Sequence, residues 1–244
     1  MTHTVLLQSF IPGALAAAVK QLGPQFEQAT GYKLAITGAT AGALLKRIQD
    51  GETADLAILA GTAAVDLAKQ GKLDPASVVV IASAGLGVAV RVGAPKPDIR
   101  SVAAFKQALL SAKSVAYSDP ADGASSGIHF AQVLQRLGLA DELRPKTTLV
   151  RIGGSVGALV ASGEVELAVQ MESELLAAEG VELVGPLPQE LQKLTIFSAA
   201  VFSGSQNTTA ANSFIQFLAS AEAAPVLKAI GLQPMAPVVK GANL

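Results

Sequence analysis

The residues best suited to chemistry lie in a short loop of serine and glycine near the middle of the chain. Residues 123–127, with the sequence GASSG, follow the turn residues Asp119 and Pro120 and open directly into an amphipathic helix. At a helix start several backbone N–H groups have no partner within the helix, and the helix dipole adds a partial positive charge there. Such a loop can bind an anion through its backbone. The alternative is that Ser125 or Ser126 simply caps the helix.

The same arrangement occurs at four places in the chain. Each time an apolar, strand-like run ends in small or hydroxyl residues, and a helix follows. Open α/β sheets bind ligands at the carboxyl ends of their strands, so the repetition favours an anion site over simple capping. The candidate ligand residues at these junctions are Ser9 in the predicted loop 8–13, Thr40 and Ala41, Ser125, Ser126 and Gly127 with His129 one turn later, and Ser155.

The composition limits the classes of function. Half of the 244 residues are hydrophobic and only 15% are charged, which provides a substantial core and argues against disorder. A net charge of −1 without a long basic run argues against nucleic-acid binding. The absence of cysteine excludes disulfides and thiolate metal sites, and the two histidines, His3 and His129, lie far apart. We therefore expect no metal and no cofactor.

The amino terminus bears on localisation. Met1 to His3 lead straight into the first predicted strand, without the features of a signal peptide, and no apolar run is long enough to span a membrane. Either a leader was removed when this chain was defined, or the protein stays in the cytoplasm. The sequence leaves both alternatives open.

Strand-length apolar runs alternate with helical patterns along the whole chain, which predicts an α/β fold. Two long β-rich runs, Val78 to Val92 and Thr195 to Phe202, are typical of strands that cross between two lobes. We expect one lobe from residues 1–84 plus 203–244 and an inserted lobe from 87–195, with hinge strands near 85–92 and 196–202. The alternative is a single large sheet.

In their order and spacing, segments along nearly the whole chain resemble the type II periplasmic solute-binding proteins, and specifically the molybdate-binding branch. The matching segments include FEQATGY from Phe26, ADLAILA from Ala54, LQRLG from Leu134 and FIQFL from Phe214. The resemblance implies two α/β lobes with a ligand cleft between them. It also implies a monomer that delivers a small anion to an ABC permease, in the periplasm if a leader was removed.

The chain departs from the molybdate binders at the positions expected to hold the ligand. Phe10 stands where a ligand serine is expected, Thr40 and Ala41 replace a serine run, and Met171 stands at the position of a ligand tyrosine. His129 replaces a more usual aromatic residue. Fewer hydroxyls and more apolar surface from Phe10 and Met171 favour an organic carboxylate. Molybdate or tungstate is the second alternative.

The resemblance also extends to an isomerase of aconitate, a proton-shifting enzyme with a binding-protein fold. In that alternative His129 and Glu172 would carry the protons. A carboxylate beside a bound anion is unfavourable, so we expect Glu172 to face outward. The dipole of its helix lowers the pKa of His129 and favours its neutral form. Since these two residues form no convincing acid–base pair, we expect a binding protein rather than an enzyme.

Overall fold

The computed structural model describes residues 4–235. In chain order the strands are β1 (Leu6–Pro12), β2 (Lys33–Ala39), β3 (Leu56–Ala60), β4 (Val79–Ala84), β5 (Leu86–Arg91), β6 (Val115–Ser118), β7 (Thr147–Val150), β8 (Leu167–Met171), β9 (Val181–Pro186), β10 (Thr195–Val201) and β11 (Gln233–Pro234). The helices are α1 (Gly13–Thr30), α2 (Ala41–Gln49), α3 (Ala63–Lys69), α4 (Val102–Ser111), α5 (Ser125–Leu137), α6 (Ala140–Leu143), α7 (Val156–Ser162), α8 (Glu172–Leu176), α9 (Thr208–Leu218) and α10 (Ala224–Ala229). No helix in this part of the chain is long and apolar enough to cross a membrane.

The chain divides into two compact α/β units. Unit 1 contains Met1–Ser83 and Thr195–Leu244, and unit 2 contains Ala84–Leu194. Each unit has its own sheet, and the chain passes from β4 of the first sheet to β5 of the second at Gly85. The second change of unit falls at Thr195, where β10 begins, beside the predicted end of the inserted lobe at residue 195. The run expected as a hinge strand at 196–202 therefore contains most of β10, a strand of the first sheet.

The six-stranded sheet of unit 1 has the order β11-β4-β10-β3-β1-β2. β1 is parallel to β2 and β3, while β10 is antiparallel to β3. On one side of β1, Phe10 packs edge-on against Phe202, with ring centroids 5.8 Å apart. On α1, the buried Phe26 packs against Phe214 of α9, with centroids 4.9 Å apart. Helices thus cover the sheet with the apolar residues whose spacing predicted them.

Asp55 ties the start of β3 to its neighbours. One carboxylate oxygen accepts from the backbone N–H of Gln8 at 2.8 Å, and the other accepts from the hydroxyl of Ser205 at 2.6 Å and the amide of Asn207 at 3.2 Å. The side chain is buried, so these bonds compensate for the cost of removing its charge from water. β1 and β3 are thereby fixed in register with the segment that follows β10.

The five-stranded sheet of unit 2 has the order β7-β6-β8-β5-β9. β6 is parallel to both β7 and β8, and Ser118 at its end stands opposite Val150. The carboxyl ends of β6, β7 and β8 therefore lie along one edge of the sheet. This edge carries the loops that the sequence singled out at residues 119–127 and 151–155.

Candidate functional site

In unit 1, the first junction differs from the sequence expectation. Residues 8–12 continue β1 instead of forming a loop, with parallel pairing to β2 up to Pro12. Ser9 is consequently a buried mid-strand residue, and its hydroxyl donates to the carbonyl of Leu7 at 3.3 Å. Phe10 belongs to the apolar core of unit 1, which accounts for its size without a ligand. Both residues are buried, and their expected ligand contacts stay a prediction.

The donors at this junction lie at the start of α1 itself. Pro12 is the N-cap residue and makes no side-chain cap bond, so no side chain covers the first-turn N–H groups that begin at Gly13. At the second junction Thr40 is the N-cap of α2, and its hydroxyl accepts from the N–H of Ala43 at 3.2 Å. Ala41 opens α2 and contributes a backbone N–H only. Both helices begin at the carboxyl ends of parallel strands.

In unit 2, α5 begins without a side-chain cap. The N-cap is Ala124, which is extended and makes no cap bond, whereas the sequence analysis offered Ser125 or Ser126 for this role. Those serines are instead the first two helical residues. Their N–H groups and that of Gly127 belong to the first turn, which has no intrahelical acceptors. An uncapped start with two hydroxyls and three such N–H groups is suited to an anion.

Gly127 allows this helix start to lie directly against the end of β6. A Cβ atom at position 127 would overlap the carbonyl oxygen of Ser118 and lie 2.9 Å from its carbonyl carbon. Further along the helix, the ring of Phe130 packs edge-on against Tyr117 of β6, with centroids 4.9 Å apart. The missing side chain and this aromatic contact together set the position of α5 on its strand.

His129 lies one turn into α5, on the same face as Ser125, four residues earlier. Its Nε2 is 2.8 Å from the backbone carbonyl oxygen of Leu191. A carbonyl can only accept, so Nε2 carries the proton of the neutral ring. Burial lowers the pKa of His129, and the nearby charge of Lys193 acts in the same direction. At neutral pH the neutral ring therefore donates its Nε2–H to the carbonyl of Leu191, and Nδ1 carries no proton.

The loop at residues 151–155 of unit 2 ends at Ser155, the N-cap of α7. Its hydroxyl accepts from the N–H of Ala158 at 3.1 Å. Gly157 packs this helix closely against the chain after α8, because a Cβ there would lie 2.5 Å from the side chain of Ala178. The hydroxyl of Ser155 can still donate its own proton to a ligand.

The end of β8 brings together several polar groups. The amide of Gln170 donates to the hydroxyl of Ser118 at 2.6 Å, which joins the ends of β8 and β6. Met171 is buried and serves as the N-cap of α8. Glu172 is half-buried rather than outward-facing, with its side chain over Gly87 of β5, and burial raises its pKa.

Glu174 is the residue of this region that sequence reasoning missed. Burial raises its pKa to about 7. Beside it, the hydroxyl of Ser173 is buried without a hydrogen-bond partner among the described residues. The signal in the sequence was the run Glu-Ser-Glu directly after the strand LAVQM, whose one polar residue is Gln170, and this run places carboxyl groups at a sheet edge. Among residues 4–235 no group of three or more His, Cys, Asp or Glu side chains could hold a metal ion.

Comparison with known proteins identifies the family. Residues 7–233 match the model of the bacterial extracellular solute-binding proteins. The chain belongs to this family. It is 38% identical over 229 residues to an aconitate isomerase of a Pseudomonas species, covering 91% of this chain and 86% of that protein. It is 28% identical over 228 residues to the molybdate-binding protein ModA of Escherichia coli K12, with the same two shares.

A solved structure supports the fold. The periplasmic molybdate-binding protein of Azotobacter vinelandii superposes with a TM-score of 0.76 at 23% identity, covering 93% of this chain and 98% of that protein. The resemblance to type II periplasmic solute-binding proteins, of the molybdate-binding kind, is thereby confirmed. The α/β two-unit architecture agrees with it.

Replacing Gly127 with alanine tests the packing that positions the α5 start. We expect Gly127→Ala to lower the free energy of unfolding by about 3 kcal/mol, because the new methyl group meets backbone atoms that cannot move independently. Gly204→Ala is the matched control, since a Cβ there meets nothing within 4 Å and the change should be neutral or slightly stabilising. Urea denaturation measures both. Equal stabilities of the two variants would contradict the packing argument.

Glu174 predicts a pH dependence of stability. Its pKa is raised from 4.5 to about 7 in the folded protein, so the unfolded chain ionises first as the pH rises. The contribution of Glu174 to stability is therefore complete below about pH 4.5 and is lost towards pH 7, by roughly 2 to 3 kcal/mol. Glu174→Gln should remove this part of the dependence, while the exposed control Glu179→Gln should retain it. Urea titrations between pH 4.5 and 8 decide; identical pH profiles for Glu174→Gln and the wild type would refute the assignment.

Proposed function

We propose that this protein is a solute-binding protein for a small organic anion with two or three carboxylates. The observation that carries the proposal is the uncapped start of α5, where Ser125, Ser126 and Gly127 present first-turn N–H groups and two hydroxyls. Backbone donors of this kind bind carboxylate oxygens through charge-assisted hydrogen bonds without a basic side chain. Unit 1 carries further backbone donors of this kind at the starts of α1 and α2, including Ala41, and unit 2 also carries the hydroxyl of Ser155.

Two observations support a carboxylate over an inorganic oxyanion. Phe10 stands where a ligand serine is expected and packs in the apolar core of unit 1, so its position supplies no hydroxyl. Met171, at the position of the expected ligand tyrosine, supplies apolar surface in place of a phenol. The name of the relative with 38% identity also refers to a tricarboxylate, whereas the molybdate binder shares 28%. In this proposal Met171 contacts the carbon skeleton of the ligand.

The biological setting follows the family. We propose that the protein acts in the periplasm, as a monomer, and passes its ligand to the permease of an ABC-type uptake system.

A thermal-shift screen tests the ligand class. We expect cis-aconitate, trans-aconitate or citrate to raise the melting temperature, since a ligand at one hundred times its dissociation constant stabilises by about 2.7 kcal/mol. Molybdate, tungstate and sulfate should leave it unchanged. A rise with molybdate and none with any carboxylate would contradict the proposal.

Ser125→Pro removes one N–H group and one hydroxyl at the α5 start without breaking the helix. Ser125→Pro lies at the first helical position, where proline is well accommodated, and Ala124 before it is already extended. Losing one charge-assisted bond should weaken carboxylate binding at least tenfold in calorimetry. Val102→Pro, at the first position of α4 after the extended Ser101, is the matched control and should retain full affinity. Equal affinities of the two variants would show that this turn does not hold the ligand.

An isomerase is the second candidate function, and the specific observation in its favour is the 38% identity to an aconitate isomerase. In this alternative the bound anion is an unsaturated tricarboxylate, and His129 and Glu172 carry protons to and from it. The structure offers a neutral ring with unprotonated Nδ1 at His129 and a carboxyl group of raised pKa at Glu172. Such groups are suited to proton transfer near neutral pH.

Proton NMR in deuterated buffer separates the two functions. For a binding protein, cis- and trans-aconitate should keep their vinyl and methylene signals and take up no deuterium over hours with catalytic amounts of protein. Interconversion or deuterium uptake that is abolished in His129→Ala or Glu172→Ala would establish the isomerase instead.

A further inference from the structure

Arg151 stands directly after β7, at the sheet edge that carries the α5 start. Its Nε lies 3.2 and 3.1 Å from the two carboxylate oxygens of Asp122 and 3.5 Å from a carboxylate oxygen of Asp119. These partners are about thirty positions away in the sequence, so the contact joins two separate loops. The loop with Asp119 and Asp122 leads into α5, and the loop with Arg151 ends at Ser155, whose hydroxyl is a donor in the proposed anion site.

Backbone N–H groups hold the two carboxylates of Asp122 and Asp119 in place. Asp122 also accepts from the backbone N–H of Ile152 at 2.8 Å, and Asp119 accepts from that of Ala121 at 2.9 Å. Their side chains are only 9% and 12% exposed, whereas that of Arg151 is 72% exposed. The carboxylates thus lie beneath the surface, and the guanidinium covers them and faces the solvent. An anion that approaches this edge meets the cation first, although the three charges sum to −1.

The guanidinium is engaged through its Nε only. Its two terminal nitrogens make no hydrogen bond within residues 4–235. Arg100 shows the contrast: its Nε and one terminal nitrogen each bind an oxygen of Asp98 at 2.9 Å. At Arg151 the fork of two terminal N–H groups, which matches a carboxylate in a bidentate manner, stays available.

We propose that Arg151 is a specificity residue that binds a second carboxylate of a di- or tricarboxylate ligand whose first carboxylate lies at the α5 start. The inference rests on the proposed function and deepens it, because it explains how a polycarboxylate is distinguished from a monocarboxylate or a compact oxyanion. Asp122 and Asp119 are positioning residues that hold the Nε edge and aim the terminal nitrogens outward. The alternative is that Arg151 has a structural role only and joins the two loops.

Calorimetric titrations of wild-type protein, Arg151→Gln and Arg151→Lys test the proposal. The probes are propane-1,2,3-tricarboxylate, trans-aconitate, acetate and molybdate, and Arg100→Gln is the matched control at an arginine–aspartate pair away from the two loops. We expect Arg151→Gln to bind both tricarboxylates at least tenfold more weakly, and Arg151→Lys to recover only part of the loss because a lysine lacks the fork. The control should bind like the wild type. Thermal melting of the ligand-free variants checks folding, and removing a guanidinium that is 72% exposed should leave the melting temperature nearly unchanged.

Each outcome decides one of the two claims. If the wild type binds tricarboxylates and Arg151→Gln binds them equally well, Arg151 is a loop brace and the inference is overturned while the proposed function stands. A loss of affinity matched by an equal loss for acetate or molybdate, or by a marked fall in melting temperature, would also overturn it. If the wild type binds molybdate and no carboxylate, the proposed function fails, and the role of Arg151 fails with it.

Discussion

The close contact between Gly127 and the carbonyl of Ser118 is the constraint on which the proposed site depends. It lets the first turn of α5 lie directly against the end of β6, closer than any residue with a side chain would allow. The end of the neighbouring strand β8 is held at the same point, because the side-chain amide of Gln170 donates to the hydroxyl of Ser118. Backbone donors have no rotamers to order, so a helix start held this firmly presents its N–H groups at little entropic cost.

An anion site built from backbone donors is compatible with the small net charge of the protein. The net charge is −1 and the sequence has no long basic run, so the overall charge of the chain does not attract anions. Helix starts bind anions with local partial charges, and their effect fades within one turn. Arg151 adds one full positive charge, and two nearly buried carboxylates orient its guanidinium. In the proposed function, recognition depends on the geometry of the ligand's carboxylates more than on its total charge.

Much of the fold could be predicted from the sequence because the apolar periodicity is regular. The sequence predicts a strand at 114–117 and helices at 127–137 and 155–162, and β6, α5 and α7 begin and end within two residues of these limits. The error at β1 has a physical reason. Pro12 and Gly13 predicted a loop, but the parallel partner β2 pairs with the chain up to Pro12 and buries Ser9 and Phe10. Proline is tolerated at this strand end because the helix follows at once.

The candidate site was predictable at the level of loops and not of individual side chains. The sequence located the loop at residues 123–127, yet the cap at Ala124 depends on the extended backbone that enters the helix. The partners of His129 and Arg151 lie 62 and about thirty residues away, and no local pattern indicates them. The raised pKa of Glu174 likewise depends on burial that only the folded chain shows.

The central claim is that first-turn N–H groups of α5 hold a carboxylate. A nitrogen–proton correlation spectrum, recorded while propane-1,2,3-tricarboxylate is added to isotope-labelled protein, observes these groups directly. The account predicts that the amide protons of Ser125, Ser126 and Gly127 move downfield on binding, as donors to a charged oxygen do, while that of Gly204 stays in place. Saturation with the tricarboxylate that leaves these three amides unshifted would contradict the account.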